Sequence, residues 1–147
     1  MSRTESPGTL TRLAAIELRA VRIPATGDAV AVREHILVRV LDDLGREGWG
    51  EVPVPHGKSC AELWRLLVES FGPALLAFAW HRPTEVPEAF TGLDGEPLVQ
   101  SGLDAACWDL WSRRRGTPLA HALGGERTAI TAGVSVARRN AVENVIS

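Results

Sequence analysis

Residues 97–115 (PLVQSGLDAACWDLWSRRR) place Val99, Leu103, Ala106, Cys107, Leu110 and Trp111 on one face of a helix. Upstream the apolar period changes. Residues 13–23 (LAAIELRAVRI) and 35–40 (HILVRV) alternate in the manner of strands, with Ile16 and Leu18 sharing one face. A long helix with a single apolar stripe must bury it against another element, and strands that precede helices offer a sheet face. This order predicts an α+β fold.

The remaining segments fit that frame. Residues 24–28 (PATGD) are turn chemistry. Residues 42–45 (DDLG) read as a hairpin turn, and 46–52 (REGWGEV) as a third strand, which completes an antiparallel three-stranded meander. Gly48 and Gly50 flank Trp49; paired glycines weaken a strand and signal a bulge or a close backbone approach. After a loop at 53–58, Ser59 with Glu62 three residues on forms a capping-box signature, followed by Leu63, Leu66 and Leu67 on one helical stripe. Residues 83–90 suggest a short second helix. Pro97 suits the first turn of the long helix, Arg113–Arg115 its negative end, and Gly116 a left-handed stop. A small helix at 118–123, a strand at 129–136 (AITAGVSV) and the start of a helix from Asn140 follow. The polar tail, residues 1–11, is read as disordered.

Composition narrows the function. The chain has 147 residues, the size of one domain, and a net charge of −2, which offers nothing to nucleic acid or an anionic membrane. No apolar run is long enough to span a bilayer, and the polar N-terminus lacks a signal peptide's apolar core, so the chain reads as cytoplasmic. Two cysteines, Cys60 and Cys107, without an export signal are expected to be reduced. Of 16 lysines and arginines, Lys58 is the sole lysine, so chemistry that needs two lysines has no pair here.

No motif carries chemistry on its own. His35, His56, His81 and His121 are scattered, none at ligand spacing from another His or Cys, and read as ordinary surface or core residues. Gly124-Gly125 lies between a helix and a strand, the reverse of a phosphate loop, and reads as a tight turn. Asp104 and Asp109 are five residues apart, about 140° around the helix, and do not converge on one ion. Trp108 and Trp111 read as core or interface residues rather than a base-stacking platform.

Three segments nevertheless resemble one family. HILVRVLDDLGREGWGEV (35–52) is similar to the hairpin of enolase-superfamily capping domains, with its acidic-Gly turn and G-x-G-E segment. GLDAACWDLWSRRRGTPLAHALGG (102–125) resembles the A-x-x-D-x-A-x-W-D-L helix of that family with its following G-x-P-L and L-G-G; Asp104, Ala106, Trp108, Asp109, Leu110, Gly116, Pro118, Leu119, Leu123, Gly124 and Gly125 fit. The third is the strand ending in GVSV (133–136). The pattern is shared by the mandelate racemase / muconate lactonizing branch. AGVSV and the preceding GERT look most like the o-succinylbenzoate synthases and N-acylamino-acid racemases.

The resemblance implies an enolase-like N-terminal capping domain at 12–127, followed at 128–147 by the first strand and the start of the first helix of a truncated β/α barrel. It implies a homo-oligomeric parent enzyme that abstracts a proton alpha to a carboxylate, with Mg²⁺ stabilising the enediolate and barrel lysines as acid and base. The chain alone has no residue matching those catalytic or metal positions: Lys58 lies in the capping part, and Asp104 and Asp109 in the linking helix. What carries over is the covering of a small carboxylate substrate by two loops, 24–33 and 53–58, with Thr26, Val30, His56 and Lys58 as candidate contacts and Ser135 at the end of the barrel strand. The first loop departs from the family's aromatic-containing form, with small residues from Ala25 to Val32. Two alternatives stand beside this reading: a dipeptide epimerase or muconate cycloisomerase of the same superfamily, or a free-standing, non-catalytic α+β interaction module. A chain with apolar faces meant for a barrel is expected to associate or to be poorly soluble.

Overall fold

The computed structural model describes residues 10–24 and 32–133. Strands β1 (Thr11–Pro24), β2 (Val32–Asp42) and β3 (Glu47–Val54) form the antiparallel meander. A two-residue strand, β4 (Ala79–Trp80), pairs with Thr11 and Arg12, giving a four-stranded sheet ordered β3-β2-β1-β4. Two residues are too few to show an alternating period, so this strand left no mark in the sequence. Thr11, grouped with the polar tail, instead opens β1 and is buried.

The β2–β3 turn is built by Asp42, whose Oδ1 accepts from Leu44 N at 3.0 Å and Arg46 N at 2.9 Å, while Gly45 takes the positive φ of 73°. One face of the sheet, carrying Ile36, Val38, Val40 and Val52, is fully buried. Against it lies helix α3 (Pro97–Arg115), which contributes Val99, Leu103, Ala106, Cys107 and Leu110. Each fully buried Leu or Val of this kind stabilises the fold by roughly 1.5–3 kcal/mol.

The helix sits directly on bare backbone. A Cβ at Gly50 would stand 2.0 Å from Gly102 O, one at Gly48 2.2 Å from Ala106 O, and one at Gly102 2.5 Å from Val52 Cγ2. The two glycines around Trp49 therefore mark close approach, and the β2–β3 register runs without a shift. Asp109 adds a polar tie: its Oδ2 accepts from Trp49 N at 2.9 Å and from Arg113 Nε at 2.8 Å. Gly116 (φ 61°) ends α3, with Gly116 N donating to Arg113 O and Thr117 N to Ser112 O.

Helix α1 (Cys60–Leu66) begins at Ser59, whose side chain accepts from Glu62 N at 3.4 Å. The chain then passes through one wide turn, Leu67–Phe71, into α2 (Gly72–Ala77). Pro73 has no N–H to donate, and Gly72 N reaches back five residues to Leu67 O. A 3₁₀ helix, Pro83–Phe90, and the short α4 (Leu119–Ala122) complete the architecture. Cys60 and Cys107 are free thiols, and burial beside Asp104 pushes the Cys107 thiol up.

Residues 129–133, expected to open a strand, form none and are exposed, with Ile130 79% accessible. A parallel barrel strand is held by ladders to its neighbours, and no neighbouring strand pairs with these residues among those described. The rest of that expected strand and the helix from Asn140 lie outside the described residues.

Candidate functional site

The two loops singled out in the sequence arise at the same end of the sheet, where β1 ends, β2 begins and β3 ends. Thr26 and Val30, in the first loop, and Ser135 lie outside the described residues. His56 and Lys58 are placed. β3 runs through Pro53 and Val54, so the second loop starts at Pro55, two residues later than expected. It closes with Lys58 N donating to Pro55 O at 3.1 Å, and Gly57 takes φ 86° at its tip.

This turn borders an open cleft of about 510 Å³. The start of β2 (Val32, Arg33, Glu34, His35) forms one wall, and the end of β3 with residues 55–58 forms the other. His56 and Lys58 both line this cleft. Lys58 Nζ is drawn to Glu96 Oε2 at 2.7 Å, just ahead of α3. His35 Nδ1 lies 2.5 Å from Glu51 Oε1 across the β2–β3 pair.

Arg33 is the last residue of the first loop as read from the sequence but is not among its candidate contacts, and His35 reads there as an ordinary histidine. The signal that finds them is period two: both lie on one face of β2, which begins at Val32 and so takes in the last two residues of the loop assigned to substrate cover. Arg33 is exposed and makes no ion pair among the described residues. The cleft thus gathers a guanidinium, an ammonium and two imidazoles, of which Lys58 is paired with Glu96 and His35 with Glu51, leaving Arg33 as the cationic donor in the lining without an ion pair among the described residues. Glu34 is itself engaged, accepting from Arg22 Nε at 2.9 Å.

The described residues do not fit a metal. No group of three or more His, Cys, Asp or Glu side chains converges among them. Asp109 is occupied by Trp49 N and Arg113. Asp104 is partly buried, and desolvation raises its carboxyl above the ordinary range. No described helix is long and apolar enough to cross a membrane.

No family model matches the chain. It is 34% identical over 119 residues to an o-succinylbenzoate synthase of Geobacillus kaustophilus, covering 78% of this chain and 32% of that protein. It is 32% identical over 145 residues to an N-succinylamino acid racemase of Thermus thermophilus, covering 92% and 39%. A more distant relative is an L-Ala-D/L-Glu epimerase of Bacillus subtilis, 27% identical over 131 residues. Among solved structures, an enolase-superfamily member of unknown activity from Enterococcus faecalis superposes with a TM-score of 0.83 at 22% identity, over 93% of this chain and 40% of that one, which speaks for the fold. The chain spans about a third of the length of the curated relatives it matches.

Proposed function

Because the chain belongs to the enolase superfamily, in its mandelate racemase / muconate lactonizing branch and with o-succinylbenzoate synthases and an N-succinylamino acid racemase as homologues, we propose that it is the capping domain (12–127) of such an enzyme. In this reading residues 128–147 begin the barrel, and the whole protein is a cytoplasmic, metal-dependent homo-oligomer that abstracts a proton alpha to a carboxylate. The observation that carries the proposal is the ordered similarity through a domain whose loop-bearing sheet end holds a cleft lined by Arg33, Lys58 and two histidines.

The chain's own part is to bind and cover. Lys58, Arg33 and the imidazoles of His35 and His56 offer hydrogen-bond donors to a substrate carboxylate remote from the reacting carbon, with Thr26, Val30 and Ser135 as further contacts. Covering the barrel mouth excludes water from a carbanionic intermediate. Such an enzyme uses Mg²⁺ to stabilise an enediolate; in this reading its ligands come from the barrel, and among the described residues no group of three or more His, Cys, Asp or Glu side chains converges.

The test is the complete protein with added Mg²⁺. It is expected to dehydrate a succinyl-bearing cyclohexadiene carboxylate to o-succinylbenzoate or to racemise N-succinyl amino acids. Absence of both activities overturns the proposal. The similarity to the dipeptide epimerase supports a second reading; turnover of L-Ala-L-Glu without either succinyl substrate selects it.

A further inference from the structure

Two donors on the cleft wall are held from behind. His35 is paired with Glu51 and Lys58 with Glu96, and neither carboxylate belongs to the lining. The two pairs differ in firmness: the Glu51 side chain is 52% exposed, whereas that of Glu96 is 14% exposed. A long side chain in solvent keeps its rotamers, so Glu96 is the fixed mount of the two.

Glu96 stands at the N-cap position of α3, where a side chain ordinarily accepts from the first turn of the helix, and it makes no such bond. Its carboxylate turns instead to Lys58 Nζ at 2.7 Å. Pro97 keeps the backbone of Glu96 out of the helical region, at φ −115° and ψ 96°, and Gln100 N donates to Glu96 O at 3.1 Å. Lys58 is held at its other end, where its own N–H donates to Pro55 O. The flexible stem between backbone and ammonium is therefore tied at both ends. An ammonium has three N–H donors. Glu96 is the partner of this one among the described residues, so two donors remain for an anion in the cleft.

We propose that Glu96 is a positioning residue: it holds the Lys58 ammonium at the cleft wall so that the remaining donors meet the substrate carboxylate remote from the reacting carbon. The inference rests on the proposed function for the presence of that carboxylate. An ion pair this exposed on the lysine side contributes little to stability, so its consequence lies in binding. The lysine is ordered before the substrate arrives, and less freedom is lost on association. A negative charge at the start of α3 also favours the helix dipole. That second effect does not pass through Lys58, which separates the two by experiment.

The experiment is a double-mutant cycle in the complete protein with added Mg²⁺, with circular dichroism and a thermal melt to verify folding of each variant. The substrates are an N-succinyl amino acid and its N-acetyl counterpart, which lacks the remote carboxylate. Glu96→Ala is expected to raise KM for the N-succinyl substrate about fivefold with kcat unchanged, as regained side-chain freedom does. In a Lys58→Met background the same substitution changes nothing further, because its effect passes through the ammonium. KM for the N-acetyl substrate stays at the wild-type value. An unchanged KM for the N-succinyl substrate, an undiminished effect in the Lys58→Met background, or an equal effect on the N-acetyl substrate each overturns the proposal.

Loss of every activity named above belongs to the proposed function instead. Where the amino-acid substrates are not turned over, succinate is the probe and the 147-residue chain the target. Lys58 is its sole lysine, so lysine labelled with ¹³C at Cε gives a single resonance. Succinate is expected to shift that resonance, with an apparent dissociation constant about fivefold higher in Glu96→Ala. No shift, or equal constants in the two proteins, overturns the proposal.

Discussion

Asp42 is 2% exposed and carries a full set of donors: two backbone N–H groups on Oδ1 and Arg46 Nε at 2.7 Å on Oδ2. Burial pushes its carboxyl up, but the Arg46 and Leu44 hydrogen bonds outweigh that and hold it below its ordinary value of 3.8. A carboxyl depressed in the folded state stabilises the fold above its unfolded value and loses that contribution as pH falls through the folded one. Wild-type chain is therefore expected to lose stability between about pH 4 and lower pH more steeply than Asp42→Asn, as measured by urea melts across that range. Gly50→Ala forces a methyl into Gly102 O, a backbone atom that cannot rotate aside, and is expected to cost about 3 kcal/mol by the same melts, the upper end for overpacking. Asp109→Ala strands Trp49 N and frees Arg113; a loss of about 1–2 kcal/mol is expected. The Gly-Trp-Gly spacing announced the close approach. The partner of Asp109 was hidden, because it lies sixty residues away on another element and no local period encodes it.

At the scale of elements, α3 was the most legible part of the chain. Its stripe, its first-turn Pro97 and its Gly116 stop agree with one another, and each appears in the structure. Gly116→Ala places a Cβ at φ 61° and is expected to lower stability by about 1 kcal/mol, read as a shift in the denaturation midpoint with an unchanged slope. Ser59→Ala removes a long 3.4 Å cap and is expected to cost only about 0.5 kcal/mol, the low end for such caps. What escaped the sequence was short or non-local. β4 consists of two residues, and the wide turn at 67–71 reflects a proline two residues farther on. The stretch 129–133 has a strand's composition but no paired neighbour among the described residues, and composition alone does not make a ladder.

For the whole molecule, hairpin connectivity brings the end of β1, the start of β2 and the end of β3 to one end of the sheet, where the two loops singled out in the sequence depart. The membership of the cleft was only half legible. His56 and Lys58 sit on the loop itself, whereas Arg33 and His35 enter from the strand opposite, a neighbourhood set by the β2–β3 register. Under the proposed function, Arg33→Ala in the complete protein is expected to raise KM for a succinyl-bearing substrate by roughly tenfold with little change in kcat, as loss of uniform binding does. Equal falls in kcat and kcat/KM remove Arg33 from that role.

The bare-backbone seam between α3 and β3 has a mechanical consequence. β3 behaves as a beam clamped along Gly48 to Val52, with only two residues of overhang before the turn that carries His56. A short overhang bends little, so displacement at this rim is confined to the four residues 55–58 and the Gly57 pivot. Under the proposed function, selectivity on this side of the cleft is expected to follow the side chains of residues 55–58, so a graft of those residues from another branch should carry its preference with it.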